Sequence, residues 1–277
     1  MGKMAAVWGK NGAGKSVLAV NLSCALVKKN YKVALIGANR YYGSIQHYFG
    51  MGIKKEESLR TYFYDMMYSK IENYFIECSS LKNLYLSSQS NYDDCMGFKK
   101  YDREGVGRFL NLARECFDYI IIDCDESMDD ALSMLSLTNS DKVVYVTRPT
   151  VQFAAFSVGF ESLVDGLNLK EKMRIVMNYD KRYSDVETYI PFGKNTDYVV
   201  LPYCQTIEKL ENYGKPIILT NNRDKTVKRY LNKLDELTYW IAIDEDMLRY
   251  KQKEHNEWSE QIIMQMEGLP EQEAFAL

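Results

Sequence analysis

The segment Gly9-Lys10-Asn11-Gly12-Ala13-Gly14-Lys15-Ser16 gathers glycines, lysines and a hydroxyl at the spacing GxxxxGK[ST]. It follows a short apolar run ending at Trp8 and opens a helical pattern, the context in which that spacing binds phosphate. Glycines let backbone N–H groups turn inward around an anion, and the helix start adds unpaired donors and the positive end of its dipole. Lys15 would neutralise the β and γ phosphates, and the Ser16 hydroxyl would be a ligand for Mg²⁺, completed by phosphate oxygens and water. Asp123 ends the apolar run Tyr119 to Ile122 and should emerge at the carboxyl edge of a sheet, beside the loop, where it can hold a magnesium-bound water. The candidate metal residues are therefore Ser16 and Asp123. The candidate nucleotide-binding residues along the loop are Gly9, Lys10, Asn11, Gly12, Ala13, Gly14, Lys15, Ser16 and Val17. As a turn that binds nothing, the loop would leave Lys15 as a charge beside buried surface.

Short apolar runs alternating with helical patterns predict a mostly parallel, doubly wound α/β sheet flanked by helices. The expected strands are Met4 to Trp8, Lys32 to Ile36, Asn83 to Ser87, Tyr119 to Asp123, Lys142 to Thr147, Arg174 to Asn178 and Tyr198 to Leu201. Runs such as Tyr119-Ile120-Ile121-Ile122 suit strands covered on both faces. Helices are expected at about Lys15 to Lys29, Asp102 to Cys116, Met128 to Leu137, Phe153 to Leu167, Ile207 to Tyr213 and Lys225 to Ile241. The division expected is one P-loop domain over 1–243, with a tyrosine-rich helical insertion at 50–100, and a charged tail over 244–277. That tail carries a thin apolar stripe, Met247, Leu248, Trp258, Ile262, Ile263 and Met266, and reads as an amphipathic helix docking against protein.

With 277 residues, 46% of them hydrophobic, the chain can bury one substantial core. A net charge of −3 favours neither nucleic acid nor an anionic membrane surface as a global partner. The six cysteines form no CxxC pair and the two histidines stand apart, which argues against a zinc site. Without a signal-peptide pattern or a run long enough to span a bilayer, the expected location is the cytoplasm.

The loop keeps both lysines of the KGGxGK[ST] pattern and so resembles the ParA/MinD group of P-loop ATPases, of SIMIBI type, with one glycine changed to Asn11. The resemblance runs from about Met4 to Ile241: Asp123 stands in the second motif, Val143-Val144-Tyr145-Val146-Thr147-Arg148-Pro149 is similar to the following strand and turn, and Gly214-Lys215-Pro216-Ile217 to a later one. It implies ATP and Mg²⁺ as cofactors and a face-to-face homodimer in which Lys10 reaches the other subunit's phosphates. It also implies that Asn178 sets its amide against adenine, with Pro202 in the segment lining the ring; a strand-end turn residue is the plainer account of Asn178. The second strand of that family ends in DxD, whereas here it leads into Gly37-Ala38-Asn39. Lys10, Lys15 and Asn39 are the catalytic candidates, but an amide can bond a water without taking its proton, so hydrolysis should be slow or absent.

This erosion resembles the TadZ/CpaE group that marks a cell pole for pilus assembly, and the expected role is recruiting or positioning a protein partner there, in polar localisation or in partitioning. The first alternative is an active partitioning ATPase on a DNA or membrane surface, with Lys225, Lys228, Arg229 and Lys233 as a basic helix face. A solvated face explains those residues more simply. Related tyrosine kinases carry a C-terminal tyrosine cluster, but no tyrosine follows Tyr250 here. Iron–sulfur reductases of the same superfamily bridge a cluster with paired cysteines, and Cys124 beside Asp123 is the only suggestive thiol. A scaffold without nucleotide is opposed by the intact Lys15 and Ser16.

Overall fold

In the computed structural model the apolar runs become strands: β1 (Lys3–Trp8), β2 (Val33–Gly37), β3 (Ile76–Glu77), β4 (Leu84–Ser87), β5 (Tyr119–Asp123), β6 (Lys142–Thr147), β7 (Met173–Asp180) and β8 (Tyr198–Pro202). The structure describes residues 1–64, 70–93, 95–97, 99–180, 189–193, 196–221 and 224–243. Among them the strands make one sheet in the order β3-β4-β2-β5-β1-β6-β7-β8. Only β3 is antiparallel, pairing Ile76 with Leu86 and Glu77 with Tyr85. The parallel pairs leave no short return, so among the described residues helices cross the sheet faces between β1 and β2, β4 and β5, β5 and β6, and β6 and β7. The three isoleucines of β5 are fully buried, each contributing roughly 1.5–3 kcal/mol of burial.

The helices are α1 (Lys15–Lys28), α2 (Leu59–Tyr64), α3 (Arg103–Cys116), α4 (Ala131–Asn139), α5 (Val151–Gly159), α6 (Glu161–Gly166), α7 (Gln205–Asn212) and α8 (Lys225–Ala242). Buried along nearly its whole length, α1 lies between the sheet and the turn at Ile217–Leu219, where Asn21 Oδ1 accepts the Ile218 N–H at 3.2 Å. In α3, Asp102 caps the first turn by accepting the Gly105 N–H at 2.9 Å, and Val106, Phe109, Leu110 and Ala113 form its buried stripe. The helix expected at Phe153 to Leu167 is two helices, which meet between Gly159 and Phe160.

The tyrosine-rich stretch is not helical throughout. It contains α2, β3 and β4, and its rings enter the main core: Tyr62, Phe63, Tyr74 and Phe75 are buried, and Phe109 of α3 stacks on Phe75 at 5.5 Å. Strand-like alternation is faint there because aromatic side chains occupy both the core and the surface. The chain divides into two units, Met1–Thr238 and Tyr239–Leu277. The sheet belongs to the first, and the expected amphipathic tail at 244–277 lies outside the described residues.

Candidate functional site

The loop between β1 and α1 turns on three glycines with positive φ: Gly9 (145°), Gly12 (81°) and Gly14 (92°). A Cβ at Gly9 would stand 2.1 Å from the Val146 carbonyl oxygen, so β6 packs against this loop at a distance only glycine permits. Gly14 caps α1 with no side-chain hydrogen bond, which leaves the donors of the first turn without a side-chain acceptor. Within the loop the Ala13 N–H donates to the Lys10 carbonyl at 3.1 Å, and Lys15 Nζ donates to Asn11 Oδ1 at 2.9 Å. Asn11, the residue that replaces a glycine of the family pattern, thus holds the ammonium that a phosphate would take.

Asp123 ends β5 between Val7 of β1 and Gly37 of β2. Ser16 Oγ donates to its Oδ2 at 2.6 Å, while Oδ1 is buried with no hydrogen-bond partner. Burial pushes this carboxyl up to about 6, against the pull of the Ser16 hydrogen bond and of Lys15. Burial likewise lowers the pKa of Lys15, opposed by Asp123, Asp125 and Glu126. An orphaned carboxylate oxygen beside a hydroxyl is the donor set a hard divalent cation uses. Among the described residues no three His, Cys, Asp or Glu side chains converge, so the remaining ligands of such an ion would be phosphate and water.

These groups open on a cleft of about 820 Å³ whose lining also includes Asn39, Arg40, Tyr48, Asp125 and Glu126. Asn39 Oδ1 accepts the N–H groups of Tyr41 at 3.0 Å and Tyr42 at 3.3 Å, so its amide oxygen closes its own turn. Glu126 Oε2 accepts the Asn11 N–H at 2.6 Å, and its Oε1 stands 4.0 Å from Lys10 Nζ. Val17 joins the lining; Asn178 and Pro202 stand outside it. Asn178 Nδ2 donates to the Ala13 carbonyl at 2.7 Å, bracing the loop from β7. Arg40, Asp125 and Glu126 are charged cleft residues that motif spacing does not reveal. Their one signal is charge directly after two strand ends.

On α8, Lys233 bonds Glu236 at 2.7 Å and Asp235 pairs with Lys29 at 2.8 Å, so acids interrupt the basic face expected there. Among the described residues no helix is long and apolar enough to cross a membrane.

Residues 2–177 match a family described as an AAA domain. The septum site-determining protein MinD of Thermotoga maritima is 26% identical over 224 residues, covering 77% of this chain and 80% of that one. An iron-sulfur cluster carrier protein of Pyrococcus abyssi is 23% identical over 219 residues, covering 77% and 67%. Among solved structures, a candidate plasmid partition protein of Borrelia burgdorferi bound to AMPPNP superimposes with a TM-score of 0.70 at 21% identity, covering 88% of this chain and 100% of the other.

Proposed function

Because the chain belongs to this AAA domain family and, within it, to the ParA/MinD P-loop ATPases, we propose that it binds ATP with Mg²⁺ and acts in the cytoplasm as a nucleotide-controlled homodimer that positions a partner. The observation that carries this reading is the Ser16–Asp123 pair set against an uncapped helix start and a loop of positive-φ glycines. Main-chain N–H groups of Gly12 and of Gly14 to Ser16 would hold the phosphates, and Lys15 would leave Asn11 to neutralise them. Ser16 and the unpartnered oxygen of Asp123 would hold the ion, directly or through water. Such an ion would supply Lewis-acid charge to the phosphate oxygens. Positioning is what septum site determination by the T. maritima protein and plasmid partition by the B. burgdorferi protein have in common. Pilus assembly at a cell pole is one such role.

Lys10 is exposed enough to leave Glu126 and cross to a second subunit, so nucleotide itself becomes part of the interface. With Gly37 and Asn39 in place of carboxylates, and the Asn39 oxygen engaged in its turn, water activation is weak and ATP persists. An iron–sulfur role is not favoured: Cys124 is a buried thiol whose pKa burial raises, and no described cysteine stands at CxxC spacing from it.

Calorimetry with ATP and Mg²⁺, paired with size measurement, tests the reading. The wild type should bind ATP and dimerise with it, Lys15→Ala should lose binding, and Lys10→Ala should bind yet stay monomeric. A wild type that binds no adenine nucleotide at millimolar concentration would overturn the proposal. Rapid single-turnover hydrolysis would overturn its slow-hydrolysis part alone.

A further inference from the structure

Arg40 lies in the loop that leaves β2, three residues beyond Gly37. The Ala38 N–H donates to the Asp123 carbonyl at 2.9 Å, so the loop leaving β2 lies against the strand end that carries the Ser16–Asp123 pair. The Asn39 turn and an Arg60 Nη2 hydrogen bond to the Arg40 carbonyl, at 3.2 Å, fix the backbone on both sides. The Arg40 side chain is only 11% exposed, and it lines the same cleft as Lys15, Ser16 and Asp123. Its Nη1 meets Asp129 at 2.9 Å and its Nε lies 3.9 Å from Asp125. Asp125 in turn acts electrostatically on both Lys15 and Asp123, so one carboxylate stands between the Arg40 guanidinium and the charges at the loop.

We propose that Arg40 binds the terminal phosphate of a nucleoside triphosphate, exchanging Asp129 for it, and that this exchange makes the cleft prefer triphosphate to diphosphate. The proposal rests on the reading of the cleft as a nucleotide site. Asp129 is a replaceable partner: its side chain is 49% exposed, where ion pairs are screened. It also keeps a second cation, Lys100 at 3.7 Å, after Arg40 leaves. A phosphate oxygen in the more enclosed cleft accepts the planar fork of a guanidinium better than a solvated carboxylate does. The diphosphate lacks the group Arg40 would meet, so its affinity is untouched.

The test is calorimetry of AMPPNP and ADP, each with Mg²⁺, on the wild type, Arg40→Gln and Asp129→Asn. Arg40→Gln should weaken AMPPNP about tenfold or more while ADP stays within about twofold, the loss of one charge-assisted hydrogen bond. Asp129→Asn removes the competitor and should tighten AMPPNP alone; it carries the test if Arg40→Gln fails to fold. Equal loss of both nucleotides in Arg40→Gln, or no change in AMPPNP in either variant, would overturn the assignment while leaving the nucleotide site intact. A wild type that binds neither nucleotide would overturn both together.

Discussion

Asp123 shows how a single residue couples stability to the proposed chemistry. Its carboxyl is raised from 3.8 to about 6, so between those values the native state keeps a proton that the unfolded chain releases. The stabilising contribution of that proton is complete below the unfolded pKa and is lost as pH rises through the folded one. Asp123→Asn should therefore match the wild type in stability below about pH 4 and exceed it by about 1–3 kcal/mol near pH 8 without nucleotide. Urea denaturation at the two pH values measures this, and a stabilisation independent of pH would refute the cause given. The same variant loses the anionic ligand, so Mg²⁺ should no longer strengthen its nucleotide binding. At this scale the consecutive residues of the loop were legible, because a motif needs only spacing. Arg40 and Glu126 were not, since strand order alone brings them to the cleft. Asn178 was expected to face adenine; its bond to the Ala13 carbonyl was not legible, because it depends on how β7 faces that turn.

At the scale of elements, the β1–α1 loop is held by two different demands on glycine. Gly9 faces backbone: its Cβ would meet the Val146 carbonyl at 2.1 Å, and β6 cannot retreat because it pairs with β1 from Ala5 to Trp8. Gly12 has positive φ but open space, with nothing within 4 Å of a Cβ. Gly9→Ala should thus cost more than about 3 kcal/mol, or abolish folding, and Gly12→Ala only about 1–2 kcal/mol. Urea midpoints rank them; equal losses would mean that strain, not the contact with β6, governs the loop. A second element-scale prediction concerns the tyrosine-rich stretch. Phe109 is fully buried and meets Tyr62 at 5.0 Å, Phe63 at 5.4 Å and Phe75 at 5.5 Å. Phe109→Ala should destabilise the sheet unit by about 3–5 kcal/mol in one transition, whereas a projecting insertion would melt separately. The long apolar strands could be read from sequence because both their faces are covered. β3 could not, having two residues and borrowing its pairing from β4. The break in the expected helix at Gly159 and Phe160 was hidden because the apolar residues continue through it.

For the whole molecule, the question is what separates a nucleotide-bound monomer from a dimer. Lys10 and Glu126 are 4.0 Å apart, with side chains 31% and 29% exposed, so their attraction is worth no more than about 1 kcal/mol. Glu126 is nevertheless well placed to oppose assembly, since its other oxygen holds the Asn11 N–H at 2.6 Å and keeps a negative charge at the mouth of the loop. That charge repels an arriving triphosphate and also competes for the lysine that would cross to a second subunit. Glu126→Gln retains a carbonyl for the Asn11 N–H while removing the charge. It should bring the midpoint of AMPPNP-driven dimerisation to a severalfold lower nucleotide concentration, in keeping with a gain of about 1 kcal/mol. Lys10→Ala with Glu126→Gln should still bind AMPPNP yet remain monomeric, because releasing a competitor cannot replace the cation that bridges the subunits. Light scattering across an AMPPNP titration separates the two contributions. Dimerisation of the double variant at the same midpoint as Glu126→Gln would mean that the interface forms without Lys10, and a higher midpoint in Glu126→Gln would mean that Glu126 supports assembly.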